Sequence, residues 1–297
     1  MAKQTWTARQ LPDLTGRVVV VTGASNGIGA IAAGELSRAG ARVVLAVRDT
    51  TKGEAAAAKM TGKTEVRPLD LTNLVSVREF ASAWSGDLDI LINNAGIMAV
   101  PEGRTTDGFE LQIGTNHLGH FALTNLLLPF VTDRVVTVTS DLHKIGKIDL
   151  DDLNWDKRKY KPLGAYCQSK LANVLFSAEL QRRLAASGST VGAVTAHPGV
   201  AKTNLISHVG GLQGALNRLL LAPITQDGEH GALPTLYAAT QDIPGGSYVG
   251  PNGLIHTKGY PEIAKTSKAA RNPDLARELW EASARLTDTD CPISSGV

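Results

Sequence analysis

"RVVVVTGASNGIGAIAAGELSRAG", residues 17–40, decides how the chain folds. The valines at 18–21 leave no polar face, so the segment reads as a strand buried on both sides. Glycines at 23, 27 and 29 then break the run, and "IGAIAAGELSRAG" (28–40) continues as a helix stopped by Gly40. A strand, a glycine turn and a helix in this order leave free backbone N–H groups and a helix dipole where an anion can approach closely. An ordinary ligand-free turn fits the same residues, but the strand–turn–helix context favours the anion site.

Outward from this unit the same alternation continues. "ARVVLAV" (41–47), "TEVRPLD" (64–70), "LDILINNAG" (88–96), "RVVTVTS" (134–140) and "TVGAVTAHPG" (190–199) read as strands. Helices are expected over 50–60, 73–85, 106–128 and 164–186. Apolar strands alternating with helices mean a parallel sheet covered on both faces. The fold class is therefore α/β, a single doubly wound Rossmann-type domain over 1–297 with no internal linker. Residues 141–163, charged but holding Trp155 and Tyr160, read as an insertion before the helix that carries Tyr166. A substrate loop at 200–225 and a C-terminal tail at 251–297 also leave the repeat. "NPDLARELWEASARL" (272–286) is expected to be a terminal helix, with Asn272 as N-cap and Pro273 in the first turn.

Composition removes several classes of function. A net charge of +2 gives no general attraction to nucleic acid or an anionic membrane. Two cysteines, Cys167 and Cys291, imply no disulfide framework and suit a reducing cytoplasm. No apolar run is long enough to span a membrane, and the N-terminal stretch has no apolar core of a signal peptide.

In open α/β sheets, ligands bind outside the carboxyl ends of the strands. Here those ends carry "TGASNGIG" (22–29), Arg48, Asp70, "NNAG" (93–96), Ser140 and "HPG" (197–199). One polar strand end is a turn; six in succession describe a crevice. Individually they stay ambiguous. Asp70 suits a helix start as well as a ligand contact, "NNAG" alone is a good turn, and Ser140 alone is a good cap. "YCQSK" (166–170) sets Tyr166 and Lys170 one helical turn apart on one face, which by itself describes a solvated surface pair.

As an ordered set these residues resemble the short-chain dehydrogenase/reductase family. The matching motifs are T-G-x-x-x-G-x-G at 22–29, Asp70, N-N-A-G at 93–96, Asn116, Ser140, Tyr166-x-x-x-Lys170 and Pro198-Gly199, across residues 15 to about 250. "TNHLGHFALTNLLL" (115–128), "YCQSKLANVLF" (166–176) and the insertion look like the retinol-dehydrogenase-like branch.

The resemblance implies an oxidoreductase that moves hydride between NAD(P) and a carbonyl/alcohol pair, with catalysis on Asn116, Ser140, Tyr166 and Lys170. It assigns cofactor binding to Gly23, Ser25, Asn26, Gly27, Ile28, Gly29, Arg48, Asp70, Leu71, Asn94, Ala95, Gly96, Tyr166, Lys170, Pro198, Gly199, Val200 and Thr203. A free tyrosine has a pKa of about 10, and bringing it to neutrality takes roughly 4 kcal/mol of differential stabilisation. Lys170 and the oxidised nicotinamide are expected to supply that. Ser140 would hold the substrate oxygen, Lys170 the nicotinamide ribose, and Asn116 a water leading to Lys170. NADP(H) is expected over NAD(H). Val47 stands where the family pattern gives NAD-specific members an acid, and Arg48 follows, able to pair with a 2′-phosphate. Asp49 would be the acid if the register were one residue off.

The expected substrate is a lipophilic aldehyde, ketone or alcohol, covered by an apolar lid between Leu205 and Leu221 with Gly210, Gly211 and Gly214 as hinges. The insertion points to a monomer or homodimer, since it could cover the face that tetrameric members use. The rival reading is a catalytically silent NADP(H)-binding regulator or scaffold, although such proteins usually lose the tyrosine or the lysine. A sugar-nucleotide epimerase or dehydratase would need a larger C-terminal domain. His117 and His120, one turn apart, lack an evident third metal ligand and are expected to be structural. Cys167 faces away from Tyr166, and "KRK" (157–159) reads as a solvated face.

Overall fold

Alternation along the first strand determines how the layers form. In the computed structural model, which describes residues 5–199, 227–253 and 257–292, β1 (Val18–Thr22) sends Val19 and Val21 to one face and Val20 to the other. Val19 and Val21 pack with Ala32, Ala33 and Leu36 of α1 (Gly27–Arg38). Val20 packs with Phe80 of α3 (Leu74–Ser82) and Phe121 of α4 (Gly119–Leu127). Both faces of the strand are dry, which is why its sequence shows no period of two. Each such valine contributes roughly 1.5–3 kcal/mol by leaving water.

The remaining strands are β2 (Arg42–Val47), β3 (Lys63–Pro68), β4 (Leu88–Asn93), β5 (Val131–Val138), β6 (Gly192–Ala196), β7 (Tyr248–Pro251) and β8 (Pro261–Ile263). Their order in the sheet is β3-β2-β1-β4-β5-β6-β7-β8. All pairings are parallel except β7 with β8. The order reverses between β1 and β4, so the carboxyl ends of those two strands part and open a crevice. The sequence had implied a wholly parallel sheet. The antiparallel edge is formed by two strands of four and three residues, too short to show a hydrophobic period.

Three further elements complete the covering: α2 (Thr50–Ala57), α5 (Pro162–Ala186) and α6 (Gly228–Thr240). The terminal helix α7 (Pro273–Thr287) forms as its sequence requires, with the Asn272 side chain accepting the N–H groups of Asp274 and Leu275. Trp280 of α7 is buried, its ring 4.8 Å from Phe121 and 5.6 Å from Phe176 of α5.

Two expectations are corrected. The helix expected from Thr106 starts at Leu111, because Gly108 adopts a left-handed φ of +85° and the Glu110 carboxylate caps the N–H groups of Gln112 and Ile113. A π turn, Gly114–Leu118, then leads into α4. The "KRK" stretch is not uniformly solvated. Arg158 lies over the Trp155 ring at 4.0 Å and donates to Gln168 Oε1 at 2.6 Å, fastening the insertion to α5. Lys157 and Lys159 are exposed, as expected.

Candidate active site

A cavity of about 940 Å³ runs along the carboxyl ends of the strands. Of the site residues expected from the sequence, every one that is described lines it except Asn116. Val200, Thr203 and the supposed lid lie outside the described residues.

The end of the cavity at β1 is shaped by close backbone packing. Gly23 has φ +67°, and a Cβ on it would stand 2.9 Å from Ala95. A Cβ on Gly29 would meet the Gly23 carbonyl at 2.7 Å and press on the Asn94 amide. Asn94 is itself locked, donating Nδ2–H to the Thr22 carbonyl at 2.8 Å, while Thr22 Oγ1 accepts the N–H groups of Asn94 and Ala95. Asn26 precedes α1 without capping it through its side chain. The first-turn N–H groups of α1 are thus left for a ligand, and the glycines keep the approach clear. This cradle suits the pyrophosphate of a dinucleotide.

Beyond β2, Arg48 and Lys52 both line the cavity. Asp49 caps α2, accepting the Lys52 N–H at 3.0 Å and pairing with its Nζ at 2.9 Å. Those bonds with Lys52 hold its carboxyl below the usual range. The start of α3 is capped by Asn73, whose Oδ1 accepts the Val75 N–H at 2.9 Å, and not by Asp70. The Asp70 Oδ1 accepts the Thr72 N–H and hydroxyl at 2.9 and 2.7 Å, and its residue lines the cavity.

At the other end, α5 presents Tyr166 and Lys170, each only 4% exposed. Thr139, at the end of β5, donates its hydroxyl to the Lys170 carbonyl at 2.8 Å and so fixes this turn of α5 against the sheet. Burial pushes the Tyr166 phenol up to about 12, and its hydrogen bond with Ser140 offsets only part of that. Burial brings the Lys170 ammonium down to about 8. The Lys170 Nζ sits 5.7 Å from the Tyr166 ring centre and donates to the Val138 carbonyl at 3.3 Å. The expectation that Lys170 lowers the phenol's pKa is therefore not met by the side chains alone: burial dominates, and the group that opposes it is Ser140. Tyr166 stands as a neutral, proton-bearing phenol.

Asn116, in the π turn, is wholly buried and does not reach the cavity wall. Its amide donates to the Ile97 carbonyl and to Ser169 Oγ, both at 2.9 Å, and accepts the Ile97 N–H. It clamps the loop after β4 to α5. Asn116 Oδ1 and Lys170 Nζ both lie 3.3 Å from the point where a Gly96 Cβ would stand. The two histidines have protein partners, His117 with Ser283 at 2.8 Å and His120 with Thr22 at 2.9 Å and the Asn116 carbonyl at 3.0 Å. Burial pulls their pKa values down to about 3 and about 4.

Sequence reading missed Lys52, Met98, Leu142, Lys144 and Ile145, all of which line the cavity. Lys52 could have been found as the basic residue one helical turn beyond Arg48. Leu142 and Ile145 belong to a short 3-10 turn, Asp141–Ile145, whose sequence carries no periodic signal.

A family model described as short chain dehydrogenase matches residues 17–152. Retinol dehydrogenase 13 of Homo sapiens is 44% identical over 94% of this chain and 87% of its own length. Polyprenol dehydrogenase of Mus musculus is 38% identical, over 97% of this chain and 88% of its own. The crystal structure of an uncharacterised protein from Mycobacterium Paratuberculosis is 54% identical and superposes with a TM-score of 0.87, covering 97% of this chain and 100% of that one.

Proposed function

The chain belongs to the short-chain dehydrogenase/reductase family, in its retinol-dehydrogenase-like branch; on that premise we propose that this oxidoreductase of CH–OH groups interconverts a lipophilic aldehyde or ketone and its alcohol, with NADP(H) as cofactor. The observation that carries the reading is the convergence on one cavity of a buried tyrosine and lysine with a half-buried serine at one end and an uncapped helix N-terminus with two cations at the other.

When bound, the nicotinamide supplies hydride to the carbonyl carbon or takes it from the alcohol. The chain's own groups handle the oxygen. Ser140 donates its hydroxyl to it, and Tyr166 gives it the phenolic proton during reduction or takes that proton back during oxidation. A neutral phenol is the form that reduction requires. Lys170, charged below about pH 8, favours the phenolate left behind. Asn116 holds the loop after β4 and supports a water leading to Lys170. Arg48 and Lys52 receive the 2′-phosphate.

Met98, Leu142 and Ile145 give the catalytic end apolar walls, and Ile145 is 65% exposed. Such walls favour an apolar substrate, and retinol and polyprenol, in the names of two relatives, are long apolar alcohols. The outer side of α5 is covered by the insertion and by α7, which supports a monomer or dimer. No helix among the described residues is long and apolar enough to cross a membrane, and the two free cysteines suit a reducing cytoplasm. NADPH consumption across a series of aryl and aliphatic ketones tests the reading. kcat/KM is expected to rise with apolar size; a flat series, with charged carbonyls turned over well, overturns it.

A further inference from the structure

His143 is fully buried in the turn after Ser140, and none of the chemistry above uses it. Two partners fix its proton. Nδ1 lies 2.9 Å from the Ser140 carbonyl, which can only accept, so Nδ1 carries the hydrogen. Nε2 lies 3.3 Å from the Ser267 backbone nitrogen, which can only donate, so Nε2 is bare. Burial moves its pKa below the ordinary histidine value, consistent with a neutral ring.

The ring also stands at the head of an aromatic column. Tyr248 of β7 meets it edge-on at 5.3 Å and stacks on His197 at 5.3 Å. His197 Nδ1 accepts the Gly199 N–H at 3.2 Å, and the Tyr248 hydroxyl donates to Asp141 at 3.3 Å. The ends of β5 and β6 and the segment ahead of α7 therefore meet around one imidazole.

We propose that His143 is a positioning residue: its Nδ1–H holds the Ser140 carbonyl so that the Ser140 hydroxyl stays directed at Tyr166, while Nε2 ties that turn to Ser267. The Ser140 hydroxyl accepts the Leu142 N–H at 3.3 Å and bonds with Tyr166, so a rotated Ser140 peptide would disturb both. Any residue at 143 keeps the backbone bond to the Ser140 carbonyl, at 3.0 Å here. The side-chain bond is what histidine adds. The inference rests on the carbonyl–alcohol reading.

Two substitutions separate the ends of the brace. Asparagine places its amide where Nδ1 stands, and glutamine where Nε2 stands. His143→Asn keeps the tie to Ser140 and gives up Ser267; His143→Gln does the reverse. Both should lower Tm and both should bind NADPH within about twofold of wild type. kcat should fall about tenfold or more in His143→Gln, with most of it retained in His143→Asn. Amide exchange over residues 139–146 should be faster in the Gln variant than in the Asn variant, whatever the turnover. Equal kcat losses, or equal exchange, overturn the brace. Wild-type protein that reduces no carbonyl with NADPH defeats the functional reading instead, and the exchange contrast still decides the brace.

Discussion

At the β1 end of the cavity Gly23 and Gly29 act through missing side chains, whereas at the α5 end Tyr166 and Lys170 act through buried ones. The first end is shaped by sterics: backbone packs within 3 Å of where a Cβ would stand at Gly23 and Gly29, and helix N–H groups are left free. The second is set by desolvation, with a phenol pushed up to about 12 and an ammonium brought down to about 8. Damage to the first end should therefore appear in cofactor binding. Damage to the second should appear in the chemical step and in the pH dependence of stability.

The largest effect expected is at the chemical end. Tyr166→Phe removes the hydroxyl proposed to exchange a proton with the substrate oxygen and keeps the aromatic ring. kcat should fall about 10²–10⁴-fold, the usual contribution of general acid–base catalysis, while NADPH affinity by fluorescence titration stays within about twofold. Retention of more than about a tenth of kcat would break the division of labour.

Lys170 gives the next effect, in stability. Its pKa is about 8 in the folded chain against 10.5 when exposed, so between those values the unfolded chain holds the proton more firmly. Stability must then rise with pH across that window, by as much as roughly 3 kcal/mol. Tyr166 acts in the opposite sense from pH 10 to about 12, where the folded chain keeps a proton the unfolded chain has lost, and stability falls. Lys170→Met should be more stable than wild type at pH 7 in urea unfolding, with the gap closing as pH climbs from 8 towards 10.5. A gap that stays constant over that range would mean the ammonium is better solvated than its burial indicates.

The contrast between the two ends also explains how much could be read in advance. Glycines between an apolar run and a helix leave a local mark, so the turn after β1 and the strand ends were legible, as was the Asn272–Pro273 start of α7. Long-range contacts leave no such mark. Arg158 looked solvated because Trp155 and Gln168, which engage it, cannot be placed from spacing alone. The start of the helix at Leu111 depends on a left-handed Gly108 and a capping Glu110 inside a stretch whose apolar spacing reads straight through. The phenol's raised pKa depends on burial depth, which the Tyr–Lys spacing does not encode.

The steric end can be tested within α1 alone. Gly29→Ala forces a Cβ against the Gly23 carbonyl and the Asn94 amide, the latter held by its hydrogen bond to the Thr22 carbonyl. Overpacking of this kind costs about 1–3 kcal/mol. It should raise the KM for NADPH about 10- to 100-fold, leaving kcat at saturation within about threefold. Gly34→Ala meets only Met60, at an ordinary 3.7 Å, and should stabilise the helix by up to about 1 kcal/mol. Equal behaviour of the two variants in the NADPH titration would refute the close-approach account.

The smallest effect separates the two cations beyond β2. Arg48 is exposed at the cavity edge and takes part in no ion pair among the described residues, so its guanidinium is available to a 2′-phosphate. Lys52 is 72% exposed and shares its charge with Asp49. Arg48→Ala should lower the ratio of kcat/KM for NADPH to that for NADH about tenfold, the scale of one charge-assisted hydrogen bond. Lys52→Ala should lower it about threefold, because its ammonium is already partly neutralised. Asp49→Ala should weaken the α2 cap by about 1 kcal/mol and free Lys52, leaving NADPH use unchanged or improved. If Asp49→Ala instead lowers kcat/KM with NADH alone, Asp49 is the group that holds the ribose 2′-hydroxyl and the proposed preference for NADP(H) is reversed.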